Sequence, residues 1–276
     1  MDTLAYCQHK AAPPGSAGYY GVLLLPPAAR AGVLGLLALE CELDEVVEHC
    51  SERTVAEHKL AWWHEELALA SDARARHPVT ACLHEHAPGA LTPPDAQALL
   101  AGVHHRIVHA QFRDAAALDA SCRDTAGIIG HACARALAGQ PAIRADELSA
   151  VFVACERLRL LCLPWRAGLP PHTGVALDML TAAGARPEDI DRGGDSPAAQ
   201  RLRAQLLAGA RDALQHALEC LPGARGFAAT RAHIARAQLR ALARGGYAAT
   251  GAARPALPIT LLWLAWRHRP RPSATQ

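Results

Sequence analysis

The chain has almost no lysine. Of its 28 basic residues only Lys10 and Lys59 are lysines, and the rest are arginines. That skew, beside the many alanines, reads as a coding bias, and a net charge of +2 carries no nucleic-acid signal. CxxC pairs are missing. The nine cysteines (Cys7, Cys41, Cys50, Cys82, Cys122, Cys133, Cys155, Cys162 and Cys220) are scattered and odd in number. With no signal peptide in view, they read as reduced, buried thiols of a cytosolic protein. No apolar run reaches about 18 residues without a charge or a proline, so no membrane-spanning helix is expected. Hardly any stretch alternates with period two, which argues against sheets.

What remains is helical. Half of the 276 residues are apolar, enough for one large domain with a substantial core or for two small ones. Prolines and glycines divide the chain into helical segments. Helices are expected over Met1–Lys10, Ala28–Cys50, Ser51–Ser71 and Pro78–His86, and from Pro93 to about Arg113. Others are expected over Leu118–Leu137, Ala145–Leu163, Thr173–Gly184, Ala198–Cys220, Gly226–Ala243 and Ile259–Arg267. The expected architecture is one all-α domain with a bundle-like core. It covers residues 1–268, and a basic, proline-rich tail of residues 269–276 is expected to be loose.

Leu37–Cys50 (LALECELDEVVEHC) holds the most suggestive chemistry. Asp44 and Glu48 are four apart and share a helical face, with Glu45 beside them. Carboxylates at that spacing suit Mg²⁺ held against a diphosphate, because hard cations take oxygen ligands and share them with phosphate. They equally suit a solvated acidic helix face. His105 and His109 also stand four apart, a spacing that can chelate a transition metal, but no third ligand and no HExxH motif accompany them. Trp62-Trp63 and Trp263/Trp266 suit packing anchors. Trp266 with the basic run Arg267–Arg271 also suits a membrane-surface contact.

Several segments, in order, resemble the squalene/phytoene synthase family. These are APPGSAGYY at Ala12–Tyr20, LLPPAAR at Leu24–Arg30, KLAWWHEE at Lys59–Glu66 and HPVT at His77–Thr80. TAGIIG at Thr125–Gly130, LTAAGARPEDI at Leu180–Ile190, and the segments Gln238–Tyr247 and Ala256–Arg267 continue the series. The resemblance implies a single isoprenoid-synthase-type helical bundle around a central apolar cavity. It implies head-to-head joining of two prenyl diphosphates, with two acidic motifs on facing helices holding Mg²⁺. It places Ser16, Tyr20 and Arg30 among substrate-binding positions and Asp44, Glu45 and Glu48 at the first metal motif.

This sequence departs from that pattern. Glutamates stand at two of three usual aspartates, and Cys41 stands where an arginine is usual. A usual aspartate is Arg106. The second acidic motif falls on Arg159, Leu163 and Ala167, and no aspartate occurs from Glu147 through Leu177. Arg157 and Arg159 on that face disfavour Mg²⁺ by charge, but suit direct diphosphate binding or a solvated helix surface.

The expectation is therefore a catalytically degenerate family member, a pseudoenzyme. Its cavity would bind an isoprenoid or other lipid, or its bundle would serve a paralogous or other protein partner. The alternative is an active Mg-dependent prenyl transferase giving a squalene- or phytoene-type product. In either case the expected location is cytoplasmic, with peripheral membrane contact open.

Overall fold

The computed structural model describes residues 2–50, 52–71, 74–109, 111–138, 144–162, 175–186, 189, 196–221, 226–244 and 256–269. Among them the chain forms α1 (Thr3–Ala11), α2 (Ala17–Val22), α3 (Pro27–His49), α4 (Arg53–Ser71) and α5 (Pro78–His86). Next come α6 (Pro93–Val108), α7 (Ala115–Cys122), a π-helical turn (Arg123–Gly127) and α8 (Ile128–Ala136). Then follow α9 (Ala145–Cys162), α10 (Leu177–Ala183), α11 (Pro197–Glu219), α12 (Phe227–Arg244) and α13 (Pro258–Arg267). Leu163 and Ala167, and the tail from 270 onward, lie outside the described residues.

Local chemistry sets the boundaries. Proline opens α3, α5, α6, α11 and α13, where its missing N–H costs no intrahelical bond. Side chains cap other starts: Asp2 accepts from Leu4 N, Thr92 from Asp95 N and Asp114 from Ala117 N. Gly184 ends α10 in the left-handed conformation at φ +62°.

The core forms around α3. Every residue from Ala31 to Leu39 is buried, so this half of the helix is enclosed on all sides. It packs against α1, α5 and α8. On the other side α9 packs on α8, α11 and α12. Gly130 allows the α8–α9 approach, since a Cβ there would lie 2.7 Å from Ser149 Cα. Gly102 plays the same part between α6 and the π turn, with Asp124 O at 2.7 Å.

Two expected helices differ from the structure. The Leu118–Leu137 helix is interrupted by the π turn, where Thr125 Oγ1 donates 2.8 Å to Ser121 O. A π turn absorbs an extra residue without ending a helix, and helical propensity does not register it. The helix from Pro93 stops at Val108, short of Arg113. Beyond it Phe112 O accepts from Leu177 N at 2.9 Å, and Ala115 N donates 3.1 Å to Asp178. Phe112 bridges to Ala176 and Asp114 is extended, so the helix does not continue into α7.

A second buried acid fixes the α4–α5 corner. The Glu66 side chain is fully buried on α4. It accepts from Arg76 N at 2.7 Å, His77 N at 2.8 Å, Thr80 Oγ1 at 2.6 Å and Arg76 Nε at 2.9 Å. Burial opposes its charge, but these donors outweigh burial and hold the carboxyl down at about 2.

Candidate functional site

Three helices bring five charged side chains together. Asp44 and Glu48 lie one turn apart on α3, Glu156 and Arg159 lie nearly one turn apart on α9, and Arg106 comes from the last turn of α6. Arg159 spans the gap. Its NH2 donates 2.9 Å to Asp44 Oδ1, its NH1 donates to Glu48 Oε1, and its Nε donates 2.7 Å to Glu156 Oε2. A further bond of 2.7 Å runs from NH2 to the other Glu156 oxygen. Arg106 NH1 donates 2.9 Å to the same Asp44 Oδ1 and lies 3.5 Å from Glu156 Oε1.

The groups around Arg159 are well buried, with side-chain exposures of 16% for Asp44, 6% for Glu48, 5% for Glu156 and 7% for Arg106, while Arg159 itself is 30% exposed. Among the described residues three carboxylates face two guanidiniums in this set. The protonation of such a set belongs to the set as a whole. Burial pushes Asp44 up to about 6 against the pull of Arg159. Burial also opposes charge on Glu156, but Arg159 and Arg106 overcome it and hold that carboxyl at about 2. Arg159, penalised by burial, is held firmly protonated by Glu156 and Asp44.

The cluster forms the polar end of a cavity of about 490 Å³ between α2, α3, α9 and α12. Its walls are small or aliphatic, among them Gly18, Gly21, Val22, Leu37, Ile234 and Leu242. A second pair sits beside the cluster. Glu40, one turn before Asp44, lies 3.7 Å from Arg231 of α12, whose guanidinium stacks 4.0 Å over the Phe152 ring. Burial raises Glu40 to about 7 despite Arg231. A separate cavity of about 580 Å³ between α4, α5 and α6 shares no lining residue with the first.

The other expected site residues are elsewhere. Glu45 turns toward α1, where Lys10 Nζ donates 2.7 Å to it and lies 2.9 Å from Glu42. Arg157 pairs with Asp119 of α7. Ser16 caps α2 by accepting 3.0 Å from Tyr19 N. Tyr20 packs edge-on against Tyr19 and beside the small core under α13. Arg30 donates 2.8 Å to Leu25 O. None of these lines the cavity. His105 and His109 sit with ring centroids 4.5 Å apart, and no third metal-binding side chain joins them among the described residues.

Sequence reasoning placed Asp44, Glu48 and Arg159 at this site, but it did not assign Glu156, Arg106, Glu40 or Arg231 to it. A signal was available for two of them. Arg106 occupies a usual aspartate position, and Glu156 is the only acid in the stretch after Glu147 up to Leu177. An arginine at a usual acid position and another within the second motif, on helices that face retained acids, predict a charge-paired cluster.

The residues present do not fit Mg²⁺. That ion needs near-octahedral oxygen donors at roughly 2.0–2.1 Å. Here Asp44 Oδ1 already serves two guanidiniums, and both Glu156 oxygens are taken by Arg159. Among the described residues no group of three His, Cys, Asp or Glu side chains is arranged to hold a metal ion.

Comparison with known proteins agrees with the fold. The family model for squalene/phytoene synthase matches residues 13–161. A crystal structure of a dehydrosqualene synthase in complex with ligand superposes with a TM-score of 0.77 at 17% identity, over 96% of this chain and 95% of that one. Squalene synthase HpnC from Alicyclobacillus acidocaldarius superposes with a TM-score of 0.67 at 18% identity, over 89% of this chain and 95% of that one. Among curated protein sequences nothing matches. The expected isoprenoid-synthase-type bundle is therefore the fold of this chain.

Proposed function

The chain belongs to the squalene/phytoene synthase family, and we propose that it is a member without head-to-head condensing activity whose cavity holds an isoprenoid or related lipid. The observation that carries this reading is the Arg159 clamp on Asp44, Glu48 and Glu156. Ionising a prenyl diphosphate requires the leaving group's charge to be neutralised as it departs, and that stabilisation supplies much of the rate. In this chain Asp44, Glu48 and Glu156 are bound to Arg159, and Arg106 is bound to Asp44. Pairing of that kind competes with a metal and a diphosphate for the same groups.

The apolar part of the cavity supports lipid binding. Its volume of about 490 Å³ lies within the range of small-molecule pockets, about 300–1,000 Å³. Its walls carry few polar groups away from the charged end. Among the described residues no helix is long and apolar enough to cross a membrane. Isoprenoids of this size partition into bilayers, so we place the protein in the cytoplasm and at a membrane surface.

The test is direct. The protein is incubated with farnesyl or geranylgeranyl diphosphate and Mg²⁺, and diphosphate release is measured. Retention of farnesol is followed in parallel by native mass spectrometry. No release with farnesol retained is the expected result. Turnover that Asp44→Ala abolishes would establish an active prenyl transferase instead. Loss of both turnover and retention would leave the bundle as a scaffold for a protein partner.

A further inference from the structure

Residues 220–276 contain nine arginines and no aspartate or glutamate. The first 219 residues therefore carry all 26 acids against 19 basic side chains. The small net charge conceals a strongly polarised chain. Where the basic segment is described, its cations crowd one another. Arg236 is lowered by burial and by Arg240, and His233 is lowered to about 4 by burial, His268 and neighbouring arginines.

α13 lies in this segment and has two apolar faces. Leu261, Leu264, Ala265 and His268 follow the i, i+3, i+4, i+7 spacing and are buried against α12 and α2. Ile259, Leu262, Trp263 and Trp266 follow the same spacing on the opposite side. That outer stripe is exposed, at 71%, 44%, 50% and 57% respectively, and Leu257 beside it is 66% exposed. The two tryptophans, expected from sequence as packing anchors, thus face outward. Arg267 lies 5.2 Å over the Trp263 ring and Arg269 lies 4.7 Å over the Trp266 ring.

We infer that α13 docks the protein on the surface of an anionic bilayer, with Ile259, Leu262, Trp263 and Trp266 entering the headgroup–acyl boundary. An exposed apolar stripe on a helix already anchored by its other face needs a partner. Tryptophan beside arginine is the side-chain pair that suits that boundary, where an apolar ring and a cation are both satisfied. Arg267 and Arg269 beside the stripe, in a segment without acids, are complementary to lipid phosphates. A second copy of the chain is a poor occupant, because a two-fold contact would set the same arginines against each other. The inner face of α13 packs on α2 and α12, both of which line the cavity, so docking brings the cavity wall to the lipid. The docking surface is independent of the catalytic reading, since an active enzyme would dock in the same way.

The test is sedimentation of the full-length protein with phosphatidylcholine vesicles, with and without phosphatidylglycerol. Binding is expected to the mixed vesicles only, with a blue shift of tryptophan fluorescence and release at raised salt. Arg267→Gln/Arg269→Gln is expected to weaken binding by roughly tenfold or more. Trp263→Ser/Trp266→Ser is expected to weaken it by at least about tenfold. Ile259→Asp, at the most exposed position of the stripe, gives the same readout with the least risk to folding. Failure of the unaltered protein to sediment with anionic vesicles overturns the inference, as does binding that none of these variants weakens. A concentration-dependent dimer that the tryptophan variant dissociates, without vesicle binding, assigns the face to a second copy and overturns it too.

Discussion

Glu66 and Glu156 are both buried carboxylates, and opposite kinds of donor satisfy them. Around Glu66 two backbone N–H groups and a threonine hydroxyl, all within fourteen residues in sequence, do most of the work. Around Glu156 the donors are guanidiniums, one from its own helix and one from α6. Local donors, mostly neutral, fix a corner of the fold, and the half-exposed Arg76 guanidinium answers the charge of Glu66. Guanidiniums also cancel charge, so they decide whether a cation or a diphosphate still has a reason to bind. The first arrangement is architectural, whereas the second sets the charge at the polar end of the cavity.

Breaking the guanidinium side should have the largest effect. Arg159→Ala removes the cation that Asp44, Glu48 and Glu156 share. Removing one partner of a buried ion pair costs about 3–5 kcal/mol, and urea unfolding should show a loss of that size. Magnesium should raise the thermal midpoint of this variant and leave that of the unaltered protein in place. A variant indifferent to magnesium would mean that the carboxylates do not converge on an ion even when freed.

The next effect separates the two regions by pH. Glu66 is held at about 2 against a usual 4.5. Its contribution is therefore present above the usual value and is lost as pH falls through the folded value. Glu40 is raised to about 7, so its sign is reversed: the contribution is present below about 4.5 and lost as pH rises through 7. Glu66→Gln should cost about 1–3 kcal/mol near neutrality and flatten the acid limb of a stability–pH curve. Glu40→Gln should flatten the decline toward neutral pH and leave the acid limb intact. Curves that move together would merge the two regions into one electrostatic unit.

The smallest effect belongs to Glu45. It is half-exposed and paired with Lys10 across the α1–α3 contact. Glu45→Ala should cost less than about 1 kcal/mol, as exposed ion pairs do, and should leave farnesol retention unchanged. A clear loss of retention would bring Glu45 back into the site.

Most of the fold was legible because its boundaries depend on local chemistry. Pro27, Pro78, Pro93 and Pro197 start helices for the reason that prolines elsewhere stop them, and the buried run of α3 is written in its apolar residues. The π turn and the early end of α6 were not legible. The first comes from the register of α6 and α9 against that segment, and the second from pairing between residues more than sixty positions apart. The site was half legible. Helical spacing put Asp44 with Glu48, but spacing cannot show which way the intervening Glu45 faces. Arg106 and Glu156 needed the third dimension, because their meaning lies in facing Asp44 from two other helices. Ser16 and Arg30 match family positions, yet here they make local hydrogen bonds to the backbone.

The shared clamp also constrains how this sequence can change. Arg159 serves three acids, and Arg106 serves two of the same three. Changing either arginine alone to aspartate removes a cation and adds an anion in one step, so the cluster becomes more negative by two charges. The single-step neighbours of this chain in that direction are destabilised before any metal-binding geometry is complete. The Arg159 clamp therefore couples the two arginine positions: either single change toward a more acidic site is expected to destabilise the fold, and a compensating cation would have to come with it.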